Sequence, residues 1–344
     1  MKLQTFIARR LMLSIGVLLG LSILIFIIAR VVPGDPVRLA LGARAPQEVV
    51  QKVSREMHLD KPLYMQYGIW LESVLKGDFG MSLYTRRSVG HDIRAFLPAT
   101  FELAIYAGAI MTVFGILLGT LSVQKRNSWV DNIVRIISYL GVVTPAFVFA
   151  VIFVLLFGYL LDVFPISGRL AAGIKPPPVI TGMITIDSLI TGNFRAFFSA
   201  LTHLLLPALS LSMAGLSQQA RIARSSMSDN LQKDYILAHR AYGIPERRIM
   251  FKYLLKPSLI PTVSILGLDF AALLSNAFLV EMVFNWPGLS RYGVAAILRK
   301  DLNAVAAVVM ILGITFVTVN IIVDIAVAYL DPRIRLRRDR TCAL

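Results

Sequence analysis

Few residues of this sequence have the types and spacing that catalysis or metal binding requires. The four histidines, His58, His91, His203 and His239, are far apart, and no His-Glu-x-x-His pair occurs. The single cysteine, Cys342, cannot form an intrachain disulfide. No Gly-x-x-x-x-Gly-Lys-Ser/Thr phosphate-binding loop is present. We therefore predict that this chain has no catalytic residue, no metal site and no cofactor of its own.

The polar residue in the most unusual setting is Asp269, which lies in a long apolar stretch with Thr262 and Asn276. Their seven-residue spacing places all three on one face of a helix. At the centre of a membrane span an Asp costs roughly 2.5–3.5 kcal/mol, so it must face protein or water. This face either borders a substrate pathway, with Asp269 favouring a cationic group such as a peptide amine, or holds a buried partner for a group on another span.

The composition indicates a membrane protein. Of the 344 residues, 56% are hydrophobic and only 16% are charged, against about 25% charged in an ordinary soluble domain. The mean hydropathy is +0.70. A formal net charge of +15 is also typical of proteins that bind nucleic acid. In so apolar a chain, however, Lys and Arg are expected to mark the cytoplasmic side, and we predict contact with membrane lipid and none with nucleic acid.

Six apolar runs are long enough to cross a bilayer. They occupy residues 11–32, 97–123, 133–161, 201–219, 261–284 and 302–330. The first is longer than a signal-peptide core, so we expect it to remain uncleaved despite the Ala43-Arg44-Ala45 sequence. One set of loops holds 19 Lys/Arg against 6 Asp/Glu and the other 15 against 10 over many more residues. The predicted fold is an all-α multi-pass protein of the inner (cytoplasmic) membrane, with both termini in the cytoplasm.

The expected organisation has four parts. Residues 1–32 form the N-terminal tail and first span, and 33–97 an extracytoplasmic helical insert. A five-helix core covers 98–331, and a basic tail covers 332–344. The insert opens with the turn signal Pro33-Gly34-Asp35-Pro36, and Asp60 and Pro62 predict the start of a helix. This helix is either a small cap packed on the spans or a surface for a partner.

The cytoplasmic stretch 221–260 has the strongest local signals. Gly243 can end one helix in the left-handed conformation, and Pro245 with Glu246 suits the start of the next. Pro257 is expected to end that second helix after a few turns. Ile249, Tyr253 and Leu254 would give it an apolar stripe beside basic residues. Such a helix could dock on a partner protein or lie on anionic lipid.

The same stretch contains Asp234-Tyr235, Ala238, Arg240-Ala241, Gly243, Glu246-Arg247-Arg248 and the closing Leu259-Ile260-Pro261. These residues resemble the EAA loop of binding-protein-dependent ABC importer permeases, and more narrowly that of the dipeptide, oligopeptide and nickel group. Two positions depart from the family pattern: His239 stands where a small residue is usual, and Tyr242 where a basic residue is common. The resemblance covers essentially the whole chain, through motifs that occur in the family's order: Arg9-Arg10, Pro33-Gly34-Asp35-Pro36, Leu59-Asp60-Lys61-Pro62, Gly77-Asp78-Phe79-Gly80, Thr100-Phe101-Glu102-Leu103, Pro165-Ile166-Ser167-Gly168, Leu206-Pro207-Ala208, Trp286-Pro287-Gly288-Leu289, Val323-Asp324 and Asp331-Pro332-Arg333.

The resemblance implies a type I ABC importer permease. Its expected partners are a second homologous permease subunit, two cytoplasmic ABC ATPases that bind the ATP and Mg²⁺, and a periplasmic solute-binding protein. A short rigid helix near 243–253 would sit in a groove of one ATPase. The residues expected to couple to the ATPase are Asp234, Ala238, Arg240, Ala241, Gly243, Pro245, Glu246, Arg247 and Arg248.

A second candidate site lies between the fifth and sixth spans. Glu281 is expected near the outer end of its helix, where water would hydrate its charge, and Trp286 at the membrane interface. Pro287 and Gly288 predict a turn. The group is either an ordinary loop anchor or a gate beneath the binding protein.

Alternative functions remain open at this point. The family group also imports nickel, glutathione-like peptides, opines and short oligosaccharides, and the binding protein usually selects among them. A secondary transporter is the alternative of another class, but neither internal repeats nor broken helices are visible in the sequence. An intramembrane enzyme is disfavoured by the absence of clustered catalytic residues.

Overall fold

The computed structural model describes residues 3–31, 46–56 and 60–330. Within these ranges the chain is helical and has no strand. The turn at 33–36, the Asp331-Pro332-Arg333 motif, the basic tail and Cys342 lie outside the described residues. The helices are α1 (Leu3–Val31), α2 (Gln47–Glu56), α3 (Leu63–Leu75), α4 (Val89–Gln124), α5 (Trp129–Val143), α6 (Ala146–Leu160), α7 (Ile184–Ile190), α8 (Phe194–Leu231), α9 (Asp234–Ala241), α10 (Glu246–Val283), α11 (Leu289–Leu298) and α12 (Leu302–Leu330).

Five of these helices, α1, α4, α8, α10 and α12, are long and apolar enough to cross a membrane. The pair α5 and α6 makes a sixth span if it is counted as one, but its halves are bent by 112°. The expected continuous helix over 133–161 is therefore wrong, and so is the expectation that the chain has no broken helix. Pro145 is the cause, because it lacks an N–H and disfavours helical geometry at Thr144, whose ψ is 123°.

The spans α4, α5 and α8 form a closely packed unit. A Cβ atom on Gly119 of α4 would lie 2.7 Å from the carbonyl oxygen of Ala220 on α8. One turn away on α8, Gly141 of α5 faces Ser217 so closely that a Cβ there would overlap the hydroxyl. In a membrane such small residues let helix backbones approach, and tight van der Waals packing then holds the helices together.

The first span packs at the edge of the bundle against α12. At one end, Arg10 Nη2 and Asp324 Oδ1 form an ion pair of 2.7 Å, which joins two of the motifs noted in the sequence. At the other end, the Tyr67 hydroxyl on α3 lies 2.8 Å from Ser22 Oγ. Helix α3 thus packs on α1, as the cap interpretation expects. Pro62, not Asp60, occupies the position before its first residue, and no side chain caps it.

We call the end of the bundle that contains Gly243 the inner end and the end that contains Gly288 the outer end. The main core cluster lies between α4, α8 and α10 and reaches the outer end, where Phe284 and Trp286 are each 1% exposed. A smaller cluster at the inner end joins α9 and the first turns of α10 to α4 and α8. These two clusters hold the two candidate functional regions in place.

Candidate functional site

The turn between α9 and α10 has the predicted conformation. Gly243 has a φ of +71°, and its N–H donates to the Arg240 carbonyl at 2.9 Å. The N–H of Ile244 donates to the His239 carbonyl at 3.1 Å. These two bonds are the Schellman pattern that ends many helices. The expectation of a left-handed glycine at this position is confirmed.

The helix that follows is longer than predicted. It begins at Glu246, one residue after Pro245, but it does not end at Pro257. A π-helical turn covers Ile249–Leu254, and Pro257 then falls in the first turn of Leu255–Val283. A proline is tolerated at the start of a helical segment, where its missing N–H is not needed. The expected short helix, capped at both ends, is therefore wrong, and α10 continues from the inner turn into the membrane.

The apolar stripe predicted on this helix packs on the chain itself. Ile249 and Leu254 are fully buried with Met227 and Ile236, so they are not available to a partner. His239 stacks on Tyr253, with 4.2 Å between ring centroids, and so ties α9 to α10. The surface left open is a shallow hollow whose lining is basic apart from a proline and a phenylalanine: Pro245, Arg247, Arg248, Phe251 and Lys252.

The predicted coupling residues on α9 lie beside this hollow. Asp234, Ala238, Arg240 and Ala241 are exposed. The Arg240 Nε donates to Glu246 Oε1 at 2.6 Å, so an ion pair spans the turn. On the inward side of α9, the Tyr235 hydroxyl is buried without a partner among the described residues, and this burial raises the pKa of the phenol.

A buried ion pair near the inner end was not predicted from the sequence. The Asp131 carboxylate is fully buried and accepts from Arg224 Nε at 2.8 Å and Nη2 at 3.1 Å. It also accepts from the Ser122 hydroxyl and from Arg135 Nη2 at 2.9 Å. These contacts clamp the start of α5 to α4 and α8. The only sequence signal is a lone acidic residue at the start of an apolar run.

The broken span opens a cavity of about 360 Å³ beside α8 and α10. Its wall includes the break itself, Val142 to Ala146, together with Gln218, Asp269 and Asn276. Asp269 is 9% exposed, and the Gln219 amide donates to one of its carboxylate oxygens. The structure therefore brings Asp269 and Asn276 together at a cavity. Thr262 is fully buried and does not line it.

Both interpretations of Asp269 have a structural counterpart. Its bond to Gln219 is the polar partner on another span that one interpretation requires. Its place in the cavity wall is what the pathway interpretation requires. Asn276 is exposed, and its amide nitrogen donates to the Ala272 carbonyl at 2.8 Å, which leaves the amide oxygen free to accept. No group of three metal-binding side chains occurs in the described parts of the chain.

The outer site differs from its prediction. Glu281 is fully buried and not hydrated as expected; it accepts from the Thr100 hydroxyl at 2.6 Å and from the Arg291 N–H at 2.7 Å. Trp286 is buried rather than interfacial, and its indole N–H donates to the Ala99 carbonyl at 2.9 Å. Burial is possible because these two residues find hydrogen-bond partners on α4, far away in the sequence.

The predicted turn at Pro287 and Gly288 is present, and Gly288 immediately precedes α11. A Cβ atom on Gly288 would overlap the Glu281 carboxylate. The Thr100 hydroxyl accepts from the Leu289 N–H at 2.7 Å, so it links α11 to Glu281. The four predicted residues thus form one compact group with the start of α11.

Two further buried carboxylates at the outer end were missed. Glu102 accepts from the Thr185 N–H and hydroxyl, both at 2.7 Å, and pairs with Arg169. Asp187 accepts from the Thr181 hydroxyl at 2.7 Å and from the N–H groups of residues 180–182. Burial raises the pKa of Asp187, but these hydrogen bonds outweigh it, so the net pKa is below its ordinary value. Glu102 fastens the outer segment 161–193 to α4, and Asp187 closes a turn within that segment.

Comparison with known proteins agrees with this architecture. The family profile described as binding-protein-dependent transport system inner membrane component matches residues 111–336. The profile of the N-terminal part of the same transport components matches residues 3–104.

Individual relatives match over nearly their whole length. The chain is similar to the probable D,D-dipeptide transport system permease protein DdpB of Escherichia coli, with 40% identity over 92% of this chain and 94% of the relative. It is similar to the di/tripeptide transport system permease protein DppB of Pseudomonas aeruginosa, with 37% identity over 97% and 99%. It is also similar to the glutathione transport system permease protein GsiC of Escherichia coli, with 30% identity over 96% and 99%.

Proposed function

The chain belongs to the family of inner-membrane components of binding-protein-dependent transport systems, and we propose that it forms half of the translocation pathway for di- or oligopeptides. It is a multi-pass permease subunit of an ABC importer. The observation that supports the peptide assignment most strongly is the match, over nearly the whole chain, to permeases named for dipeptide and di/tripeptide transport. The same machinery for nickel, opines or oligosaccharides is the alternative.

The proposed assembly contains a second homologous permease subunit, two cytoplasmic ABC ATPases and a periplasmic binding protein, set in membrane lipid and without nucleic acid. ATP and Mg²⁺ bind to the ATPases, and this chain performs no catalysis. Both termini lie in the cytoplasm, which the excess of Lys and Arg in the inner loops supports. A secondary transporter would need no ATPase, and the exposed basic hollow at the inner turn would then have no role.

The hollow beside Gly243 is the proposed contact with an ATPase. Phe251 offers an apolar side chain that is 46% exposed, and Arg247, Arg248 and Lys252 surround it with positive charge. The Schellman turn and the stacked rings of His239 and Tyr253 hold this surface rigidly. Since α10 is continuous, a displacement at Glu246 is carried about 35 Å along the helix to Asp269.

The cavity at the helix break is the proposed substrate pathway, with Asp269 and Asn276 in its wall. Thr262 lies on the same helix outside the cavity wall, and its buried side chain contributes to helix packing. At the outer end, Glu281, Trp286, Pro287 and Gly288 act as the frame of the extracytoplasmic gate. Because Glu281 and Trp286 are buried, the contact with the binding protein is made by exposed neighbours such as Asn285.

Reconstitution tests this function. The chain is purified with its partner permease and ATPases, placed in proteoliposomes and supplied with the binding protein and a labelled dipeptide. We expect uptake that requires ATP hydrolysis and the binding protein, and none with a non-hydrolysable ATP analogue. Uptake by this chain alone, without ATPases, would contradict the proposal and identify a secondary transporter.

A further inference from the structure

The cavity at the break between α5 and α6 has a negatively charged wall. Asp269 supplies a carboxylate of which only one oxygen is bound by Gln219, and within the described residues the other accepts no hydrogen bond. Val142, Val143 and Thr144 line the same cavity, so the carbonyl end of α5 borders it. None of the lining residues is basic. The wall of the cavity therefore combines a carboxylate with the negative end of a helix and has no compensating cation among its lining residues.

Among the described residues, the carbonyl groups of residues 141–144 at the end of α5 have no recorded hydrogen-bond donor, and the sequence explains why. A helix leaves its last four carbonyl groups without intrahelical donors, and these groups carry the negative end of the helix dipole. Here Pro145 has no N–H to offer the Gly141 carbonyl, and neither Thr144 nor Pro145 is helical. The 112° bend then turns α6 away, so that its first N–H groups do not restore the missing bonds.

We propose that this cavity contains a binding subsite for the ammonium group of the transported solute, formed by Asp269 with the carbonyl end of α5, while Asn276 lies farther along the same wall. The inference rests on the proposed function and adds that the permease itself recognises the charged amine. An ammonium group has three donors and no acceptor, and this subsite offers carboxylate and carbonyl oxygens as acceptors. Asn276 lies in the same wall about 10 Å along the helix from Asp269, so it reports on the subsite without belonging to it.

Other cations fit this subsite less well. A guanidinium group is bound best by both oxygens of one carboxylate, and the Gln219 amide, which already donates to one oxygen of Asp269, competes with it there. Nickel prefers imidazole or thiolate ligands, and the lining residues include neither His nor Cys. Among the solute classes open to this family, peptides and opines carry an amine and oligosaccharides do not. The subsite therefore favours peptides and opines over oligosaccharides and nickel on chemical grounds.

A charge-sensitive probe tests the subsite without using transport. In the assembled complex, Asn276→Cys in a Cys342→Ser background gives one thiol in the cavity wall. Its reaction rates with a cationic (aminoethyl) and an anionic (sulfonatoethyl) methanethiosulfonate reagent are compared. Asp269 lies seven residues away, about 10 Å along the helix, where one charge at an effective dielectric constant near 20 changes each rate about tenfold, in opposite directions for the two reagents, and hence their ratio about a hundredfold. We expect Asp269→Asn to lower the cationic-to-anionic ratio by that factor.

Asp269→Asn is a suitable variant because an asparagine still provides an oxygen for the Gln219 amide, so a purely structural role of Asp269 is preserved. The matched control is Ser264→Ala on the same helix, because Ser264 is exposed, donates to the Ile260 carbonyl at 2.8 Å and does not line the cavity. The control should leave the ratio unchanged. An equal ratio with and without the Asp269→Asn substitution would overturn the proposal.

Protection of the same thiol identifies the ligand group. Ala-Ala should slow labelling of Asn276→Cys, and N-acetyl-Ala-Ala at the same concentration should not, because acetylation removes the ammonium charge. This difference should disappear with Asp269→Asn. Equal protection by both peptides would overturn the ammonium subsite even if ATP-driven uptake is normal. Failure of uptake with an intact labelling difference would instead reject the proposed transport function and leave the subsite standing.

Discussion

The two turns that flank helix α10 have the same backbone hydrogen bonds in opposite surroundings. At the inner turn, Gly243 adopts a φ of +71°, and at the outer turn Asn285 adopts a φ of +51°. In each case the next residue donates to a carbonyl five positions back, Ile244 to His239 and Trp286 to Glu281. A Cβ atom on Gly243 would meet nothing within 4 Å, whereas the outer turn is enclosed by α4 and α11.

Each turn also contains one glutamate, and the two glutamates are stabilised differently. Glu246 at the inner turn is exposed and paired with Arg240. Glu281 at the outer turn is fully buried, and in the described residues it has hydrogen bonds to a hydroxyl and a backbone N–H but no ion pair. The comparison shows that one turn motif serves two purposes. At the inner end it positions an exposed surface, and at the outer end it closes a tightly packed group of buried residues.

Removing the buried glutamate should have the largest effect. Glu281→Ala leaves the Thr100 hydroxyl and the Arg291 N–H without their acceptor, and each unsatisfied buried group costs about 1–3 kcal/mol. We expect the melting temperature of the purified complex and the membrane abundance of the chain to fall clearly. The matched control is Glu246→Ala, which removes an exposed ion pair and should cost about 1 kcal/mol or less. Similar losses from both variants would refute the distinction between the turns.

Adding a methyl group at the outer turn should have the next largest effect. In Gly288→Ala the new Cβ overlaps the Glu281 carboxylate, and overpacking of this kind costs typically about 1–3 kcal/mol. The melting temperature of the complex again measures the loss. Gly68→Ala in α3 is the control, since its Cβ meets nothing within 4 Å in a helix, and stability should be unchanged or slightly higher. A fully stable Gly288→Ala complex would show that the outer frame is not tightly packed.

At the inner turn a substitution should affect coupling more than stability. Gly243→Val places a β-branched residue at a φ of +71° and costs roughly 1–3 kcal/mol locally, while the spans are untouched. We expect normal membrane abundance with loss of ATP-driven uptake. Gly243→Asn should retain uptake, because asparagine tolerates the left-handed conformation. Normal uptake by the valine variant would exclude the inner turn from coupling.

The smallest effect should come from the ion pair across the inner turn. Arg240→Ala removes the partner of Glu246, and an exposed pair contributes about 0.2–1 kcal/mol. The melting temperature should fall only slightly, and this decrease should disappear at high salt because exposed charges are screened. A large decrease in melting temperature that does not depend on salt would mean that the ion pair stabilises the inner turn as strongly as packing stabilises the outer turn.

The inner turn was predictable because its signals are local. Glycine, proline and glutamate within four positions specify a left-handed end and a helix start, and the structure confirms both at Gly243 and Glu246. The helical class and five of the six apolar spans followed from hydropathy alone, whereas the break at Pro145 in the span over 133–161 did not. Where the prediction failed, as at Pro257, a neighbouring π-helical turn allowed the proline to start a new segment instead of ending the helix.

The outer frame was not predictable in the same way because its stability is non-local. Glu281 and Trp286 looked like hydrated and interfacial residues, since nothing near them in the sequence reveals partners on α4. The same applies to Asp131 and Arg224, which are 93 residues apart. Asn285 adopts the left-handed conformation without a glycine to signal it. Pairings of this kind depend on the packing of the helices, which one sequence does not specify residue by residue.

The packing of α5 also constrains how the chain is made. The ribosome delivers α5 before α8, yet Arg224 and Ser217, which complete the surroundings of Asp131 and Gly141 on α5, lie on α8. Until α8 has inserted, Asp131 has Ser122 and Arg135 but not Arg224 as partners, and the close-packing surface at Gly141 is uncovered. The final packing of α5 therefore forms only after synthesis has reached the fourth span.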